Sequence, residues 1–270
     1  MGEIAAPTNA WFLSVGSFRS PSFMVGRGAL GSVRLANVVL VVEHEGGEVT
    51  LVDAGWSAAQ CRSPLRYIGF PEALVLGVSV SAGDDARGQL AGRGIGADRV
   101  RRILATHLHA DHVGGLEDFP NAEVITTADE LASARSRGRL HGFDVGRLSH
   151  IGRLTLVALD GPGRDGFAAS LAIGGGLTLL DARGHTAGGV AVELSLGGRR
   201  LLHLGDAAYT LAEAELDRPS PLGKRTAWDA RRQRETYRAI AAATRRAEVV
   251  AVTSHDPRTW AAVEGRSFAA

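Results

Sequence analysis

With 270 residues, 45% of them hydrophobic and 22% charged, the chain has the make-up of an ordinary globular protein and can bury most of its apolar surface in one core. Its 30 lysines and arginines balance 29 acids, and the arginine pairs at 101–102, 199–200, 231–232 and 245–246 are scattered rather than massed, which argues against a nucleic-acid partner. A single cysteine, Cys61, excludes an internal disulfide; the start of the chain carries neither an export nor a myristoylation signal, and the longest apolar run, Leu35–Val42, is too short to span a bilayer, so a cytoplasmic protein with no membrane anchor is expected.

In chain order, short β-branched and apolar runs predict strands at Trp11–Val15, Asn37–Val42, Val49–Val52, Val100–Ala105, Val124–Thr127, Leu154–Leu159, Leu177–Leu180, Val190–Leu194, Leu201–Leu204 and Val249–Val252. Helical spacing with start and stop signals appears at Asp84–Gly92, Ala128–Arg137 and Ala227–Arg246, where Thr226 can cap the free amides and Asp229 suits the first turn. Strands interspersed with fewer helices predict a layered α/β protein, a single domain over residues 1–270, although periodicity alone does not say whether there is one sheet or two. No fixed-period repeat is visible. Ser17–Gly31, Ser57–Gly96 and Gly161–Ala168 read as long loops, and long loops on a rigid scaffold often shape a binding site.

The chemistry concentrates in Ala105-Thr106-His107-Leu108-His109-Ala110-Asp111-His112-Val113-Gly114-Gly115, which follows a predicted strand and sets four metal-capable side chains within six positions. Imidazole nitrogens and carboxylate oxygens suit zinc and similar divalent ions, and this spacing suggests two adjacent metals. More ligand types follow later strands: Gly184-His185-Thr186, Gly205-Asp206 and Ser254-His255-Asp256 each lie in a turn just past one.

This pattern resembles the metallo-β-lactamase superfamily over nearly the whole chain, and implies its four-layer αββα fold, two β-sheets sandwiched between helices with a metal site at one edge. The resemblance implies that His107, His109 and His185 hold one metal, that Asp111, His112 and His255 hold a second, and that Asp206 bridges both. The ions it implies are two divalent metals, zinc first, with iron, manganese and cobalt also suited to mixed nitrogen and oxygen donors. The upstream Val52-Asp53-Ala54-Gly55-Trp56 matches the family's Asp-x-Gly element, whose aspartate supports the ligand loop by hydrogen bonding rather than binding metal. Hydrolysis is the implied reaction, with Asp111 both ligand and proton carrier.

Among subgroups, the N-acyl homoserine lactonases are most similar. Asp206-Ala207-Ala208-Tyr209-Thr210 resembles their Asp-x-x-Tyr element, which makes Tyr209 the residue contacting the substrate carbonyl. This implies opening of acyl homoserine lactones or related esters, the chemistry of quorum quenching. His109 replaces the glutamate of flavodiiron reductases; the bridging Asp206 and the lack of an export signal set the chain apart from exported β-lactamases; nucleases of the fold add a domain or basic arm. Glyoxalase-II-like thioesterases carry a helical extension, whereas here 15 residues follow His255. The alternative from another class is a persulfide dioxygenase, which uses one iron and shares the His-x-His-x-Asp-His string. One departure stands out: Gly184–Gly189 reads Gly-His-Thr-Ala-Gly-Gly where the family often has Gly-His-Thr-Pro-Gly-His, which leaves His185 intact but alters the pocket wall.

Phe18, Phe23 and Met24, with the Leu65–Val80 stretch, are expected to line an apolar channel for an acyl chain. Such loops equally suit a homodimer interface. His44 is expected to be solvent-exposed in a polar hairpin, His203 to be a core residue or a support beneath the metal ligands, and His141 and His150 receive no chemistry.

Overall fold

The computed structural model describes residues 2–28, 30–67 and 77–270. Strands β1 (Pro7–Pro21), β2 (Ser32–His44) and β3 (Val49–Val52) form an antiparallel meander. β4 (Val78–Ser79) pairs with β1 at Ser17 and Phe18. The parallel strands β5 (Val100–Leu104), β6 (Glu123–Thr127) and β7 (Arg153–Val157) extend the sheet beyond β3, while the late strand β13 (Ser267–Ala269) closes the other edge against β1. The second sheet has the order β12-β11-β10-β9-β8, built from β8 (Ser170–Gly174), β9 (Leu177–Asp181), β10 (Val190–Leu196), β11 (Arg199–His203) and β12 (Val249–Val252).

Burial explains why these sequences make these strands. Val38 to Val42 are all buried, because β2 is covered on both faces; a strand in that position is apolar at every residue rather than at every second one. Odd positions of β1, such as Trp11 and Leu13, join an outer core with Leu90 and Leu131, whereas Phe12 turns inward to meet Leu40, Leu104, Leu179 and Leu201 between the sheets. Leu180, Leu202 and Leu204 face a third cluster with Tyr237 and Ile240. Helix, sheet, sheet, helix is therefore the order of layers, in agreement with the expected αββα architecture.

The helices of the outer layers are short. α1 (Ala58–Arg62), α2 (Pro64–Tyr67), α3 (Ala86–Ala91), α4 (Ala110–Val113) and α5 (Ala128–Arg137) accompany the first sheet; α6 (Leu211–Glu215), α7 (Pro221–Thr226), α8 (Ala230–Ala243) and α9 (Pro257–Val263) come late in the chain. Among the described residues, no helix is long and apolar enough to cross a membrane.

Three expectations need correction, and two strands were not foreseen. The stretch Ser17–Gly31 is not a free loop: β1 runs on to Pro21 against β2, and Ser22–Val25 forms a 3-10 turn, because backbone pairing across the hairpin outweighs the glycines at its tip. Thr226 ends α7, its hydroxyl bonded to Leu222 O; the last long helix starts at Ala230, capped by Asp229, whose Oδ1 accepts from the Arg231 and Arg232 amides at 2.8 and 3.0 Å. His44 is buried, with Nδ1 3.0 Å from Ala5 O and Nε2 2.9 Å from Thr50 Oγ1, so partners inside the fold replace the water expected for it. Strands β8 and β13 carry no alternation strong enough to be read ahead; they form because their partners leave an edge open. Residues 68–76 of the expected Leu65–Val80 channel wall lie outside the described residues.

Candidate metal centre

Parallel strands in each sheet end at the same rim, and the chain after each end carries one part of the centre. Asp53 follows β3, His107 to His112 follow β5, His185 follows β9, Asp206 follows β11 and His255 follows β12. The turns are tight. Gly205 has φ +53°, and a Cβ there would lie 2.6 Å from Thr106 Oγ1; Gly184 has φ +135°, and its Cβ would lie 2.3 Å from Gln233 Cα. Only glycine lets these turns pass close enough to bring Asp206 and His185 in.

The side chains sort into two groups: His107, His109, His185 and Asp206 in one, Asp111, His112 and His255 in the other, with donor atoms in each within 4.8 Å of one another. Asp206 reaches both. Its Oδ2 is 3.6 Å from His185 Nε2, and its Oδ1 is 3.1 Å from His255 Nε2 and 3.4 Å from His112 Nε2. Asp111 Oδ2 faces the second group, 3.4 Å from His112 Nε2 and 3.5 Å from His255 Nε2.

The donors fit divalent cations. His107 Nε2, His112 Nε2 and Asp206 Oδ1 are buried with no hydrogen-bond partner, which a native fold tolerates where a ligand satisfies them. Nδ1 of two of the histidines is tied: His112 Nδ1 donates to Asp53 Oδ2 at 2.8 Å, and His255 Nδ1 donates to Ala36 O at 2.7 Å. Asp53 also accepts from Thr106 N and Thr106 Oγ1, both at 2.8 Å, and Thr106 Oγ1 in turn lies 3.1 Å from His107 Nδ1. One buried carboxylate thus favours the tautomers of His112 directly and of His107 through Thr106 that leave both Nε2 lone pairs aimed at the centre. Asp53 holds φ +62°, which keeps its side chain under the loop.

Electrostatics divides the two groups. Burial, reinforced by neighbouring imidazoles, holds His107 well below the usual histidine range and His109 at about 3, and burial lowers His185 as well, so the three histidines of the first group are neutral. Burial would lower His112 and His255 too, but Asp111 and Asp206 outweigh it, and His255 rises to about 9. The same pairing lowers Asp206 against the opposing effect of burial. Burial also acts against ionisation of Asp53, yet His112 and His203 bring it down to about 2, so it is a carboxylate at any working pH.

Tyr209 lies between the groups, its ring edge-on to His185 at 5.6 Å and stacked at 23° to His255 at 5.9 Å between centroids. Burial and the Asp206 charge push its phenol well above the ordinary value, which keeps it a hydrogen donor. Glu213 fixes this segment, its Oε2 accepting from Tyr209 N at 2.7 Å. Phe18 packs over His255 at 4.8 Å and joins Val78, Val80 and Ala110 around Trp56 and Cys61. Phe23 is half-exposed at the hairpin tip, which Arg27 latches to Asp256 at 2.8 Å.

Three contributors escaped the sequence reading. Glu130 ties two ligand loops, Asn37 Nδ2 donates to Asp111 O at 2.6 Å, and Glu213 holds the Tyr209 turn. Thr127-Ala128-Asp129-Glu130 has the form of a helix capping box, which was the available signal; its glutamate is diverted from the cap to the centre. His203 is buried with both ring nitrogens unpartnered and Nε2 3.6 Å from Asp53 Oδ2, which places it beneath the ligands. His141 is exposed and bonded to Arg137 O, away from the donor groups. At the altered family position, a Cβ on Gly189 would lie 2.8 Å from Thr186 Oγ1.

The metallo-beta-lactamase superfamily model matches residues 31–255. A probable metallo-hydrolase of Mycobacterium tuberculosis is 34% identical over 192 residues, covering 67% of this chain and 59% of its own length; the chain thus spans under two thirds of that curated relative. Among solved structures, an N-acyl homoserine lactone hydrolase with N-hexanoyl-L-homoserine at its catalytic metal centre superposes with a TM-score of 0.75 at 19% identity, covering 95% of this chain and 96% of the other. A dizinc quorum-quenching lactonase superposes with a TM-score of 0.66 at 17% identity, covering 95% and 92%. A probable metal-dependent hydrolase from Staphylococcus aureus gives 0.69 at 17% identity, covering 94% and 91%. At such identities the likeness is one of fold.

Proposed function

Because the chain belongs to the metallo-beta-lactamase superfamily, we propose that it is a dinuclear metal-dependent hydrolase that opens the ring of N-acyl homoserine lactones or closely related esters. The observation that carries the reading is Asp206, whose two carboxylate oxygens face separate histidine groups, the arrangement a carboxylate needs to bridge two cations. His107, His109, His185 and Asp206 would hold one divalent ion, and Asp111, His112, His255 and Asp206 the other, with zinc the first choice. When bound, such a pair lowers the pKa of water and withdraws charge from a carbonyl oxygen.

The chain's own residues supply the rest. The Tyr209 phenol, kept protonated between His185 and His255, donates to the carbonyl oxygen as negative charge builds on it. Asp111 carries the proton from the attacking water to the leaving alkoxide, which completes addition of water across the C–O bond. Phe18 beside His255, and Phe23 and Met24 at the hairpin tip that Arg27 ties to Asp256, would line the path of an acyl chain. A structural neighbour with N-hexanoyl-L-homoserine at its catalytic metal centre, and a dizinc lactonase in complex with a homoserine product, support this substrate class.

The test is a panel of an acyl homoserine lactone, an aryl ester, a thioester and a phosphodiester, run on protein whose metals have been quantified. Lactone turnover with about two metals per chain is expected. Turnover confined to another class overturns the substrate; one iron per chain with oxygen uptake overturns the dinuclear reading in favour of a dioxygenase.

A further inference from the structure

Glu130 sits in the first turn of α5 and is buried completely, yet it touches no basic side chain among the described residues. Each of its oxygens is spent on a backbone amide from a different loop: Oε1 accepts from Leu108 N at 2.9 Å, and Oε2 accepts from Gly188 N at 3.0 Å. Leu108 lies between His107 and His109, and Gly188 lies three residues after His185, so the two loops it joins carry every histidine of the first donor group. The helix start reinforces the tie. Thr127 Oγ1 accepts from Glu130 N at 3.1 Å and donates to Gly188 O at 2.8 Å. Contact is close enough that a Cβ on Gly188 would lie 2.2 Å from both Glu130 N and Thr127 Oγ1.

Resting on the dinuclear reading above, we infer that Glu130 is a positioning residue for the first donor group: it sets the separation of the His107–His109 and His185 loops, and through it the affinity for the first metal. The physical reason is that a buried carboxylate accepting two amide bonds fixes both amides relative to one rigid helix, whereas loops held only by their own turns would pay that ordering cost when the ion binds. Asp53 bonds His112 and reaches His107 through Thr106, and His255 is held separately by Ala36 O; neither tie involves the His185 loop, so the effect of Glu130 falls mainly on the first group.

The experiment compares wild type, Glu130→Gln and Thr127→Val, each also in a His255→Ala background that removes one ligand of the second group. Affinity for zinc is read by competition with a chromophoric chelator, and the visible spectrum of the cobalt-loaded protein reports ligand geometry. Glutamine offers one acceptor and turns an amide donor toward a backbone N–H. Glu130→Gln is therefore expected to weaken the first-site constant by about 10- to 100-fold and to shift the cobalt spectrum, with a smaller change in the second-site constant, whose Asp111 and His112 share the Leu108 segment but whose His255 does not. Thr127→Val should weaken the same constant less, and Thr127→Ser, which keeps both bonds, should restore it. Wild-type constants in Glu130→Gln, or equal losses at both sites, overturn the inference. If Glu130→Gln does not fold, an unchanged first-site constant in Thr127→Val overturns it. Wild-type protein that binds no metal overturns the dinuclear reading and this inference together; two metals in wild type with no response in the variants overturns this inference alone.

Discussion

Replacing Asp53 with asparagine changes one oxygen to an amide nitrogen and tests how the centre is held. Asp53 accepts three bonds, from Thr106 N, Thr106 Oγ1 and His112 Nδ1, each at 2.8 Å. Asparagine can keep the bond from Thr106 N on its remaining oxygen, but its amide then faces His112 Nδ1, and two donors cannot pair. In stripped protein Asp111 and Asp206 hold His112 protonated against burial, so its Nδ1–H is left facing the amide; when it gives up one proton to bind a cation, the proton it keeps is the one on Nε2, the atom that faces Asp111 and Asp206, and the lone pair a cation needs is lost. Two bonds to a charged acceptor are lost, each worth about 1.5–3 kcal/mol, so the metal-free protein should lose at least about 3 kcal/mol of stability. Metal affinity at the second group should fall by about 10- to 100-fold, the usual effect of removing the partner of a ligating histidine. The assay is chelator competition with elemental analysis after dialysis, alongside denaturant unfolding of the stripped protein. Asparagine protein that retains two metals with wild-type constants would refute the role given to Asp53.

Tyr209→Phe should leave metal content unchanged and lower kcat by about 10- to 1000-fold, since it removes one donor to developing negative charge; an unchanged kcat counts against the phenol as that donor. Truncating Phe23 and Met24 to alanine should raise KM for long-chain lactones more than for short ones, and an equal effect on both removes the acyl wall. In stripped protein, His255 has a pKa of about 9, above the ordinary 6.5. Its contribution to stability is therefore complete below about pH 6.5 and lost as pH rises through about 9, so unfolding midpoints of stripped protein should fall across that window. Because only neutral imidazole binds a cation, zinc loading at pH 7 should also release protons from His255 and His112 into a weakly buffered dye solution. No release would contradict the charge state assigned to the second donor group.

The sequence alone carried the strand pattern and the donors, because both are local. Val49–Val52 and Val249–Val252 were bounded to the residue by their apolar runs, and Ala128–Arg137 by its helical spacing. The motif after β5 and three short turns after later strands marked the candidate donors, which the fold brings together. Tertiary structure decided what depends on distant partners. His44 became buried because Ala5 and Thr50 meet it, β13 formed because β1 offered an edge more than 250 positions away in sequence, as in the Asn9 and Ala269 pairing, and Glu130 left a local cap for two loops it can reach only in the folded chain. The division of the seven donors into two groups was implied by the family resemblance, but its physical cause lies in the fold: Asp111 and His112 come within reach of His255 from the other sheet because the loops after both sheets meet at one rim.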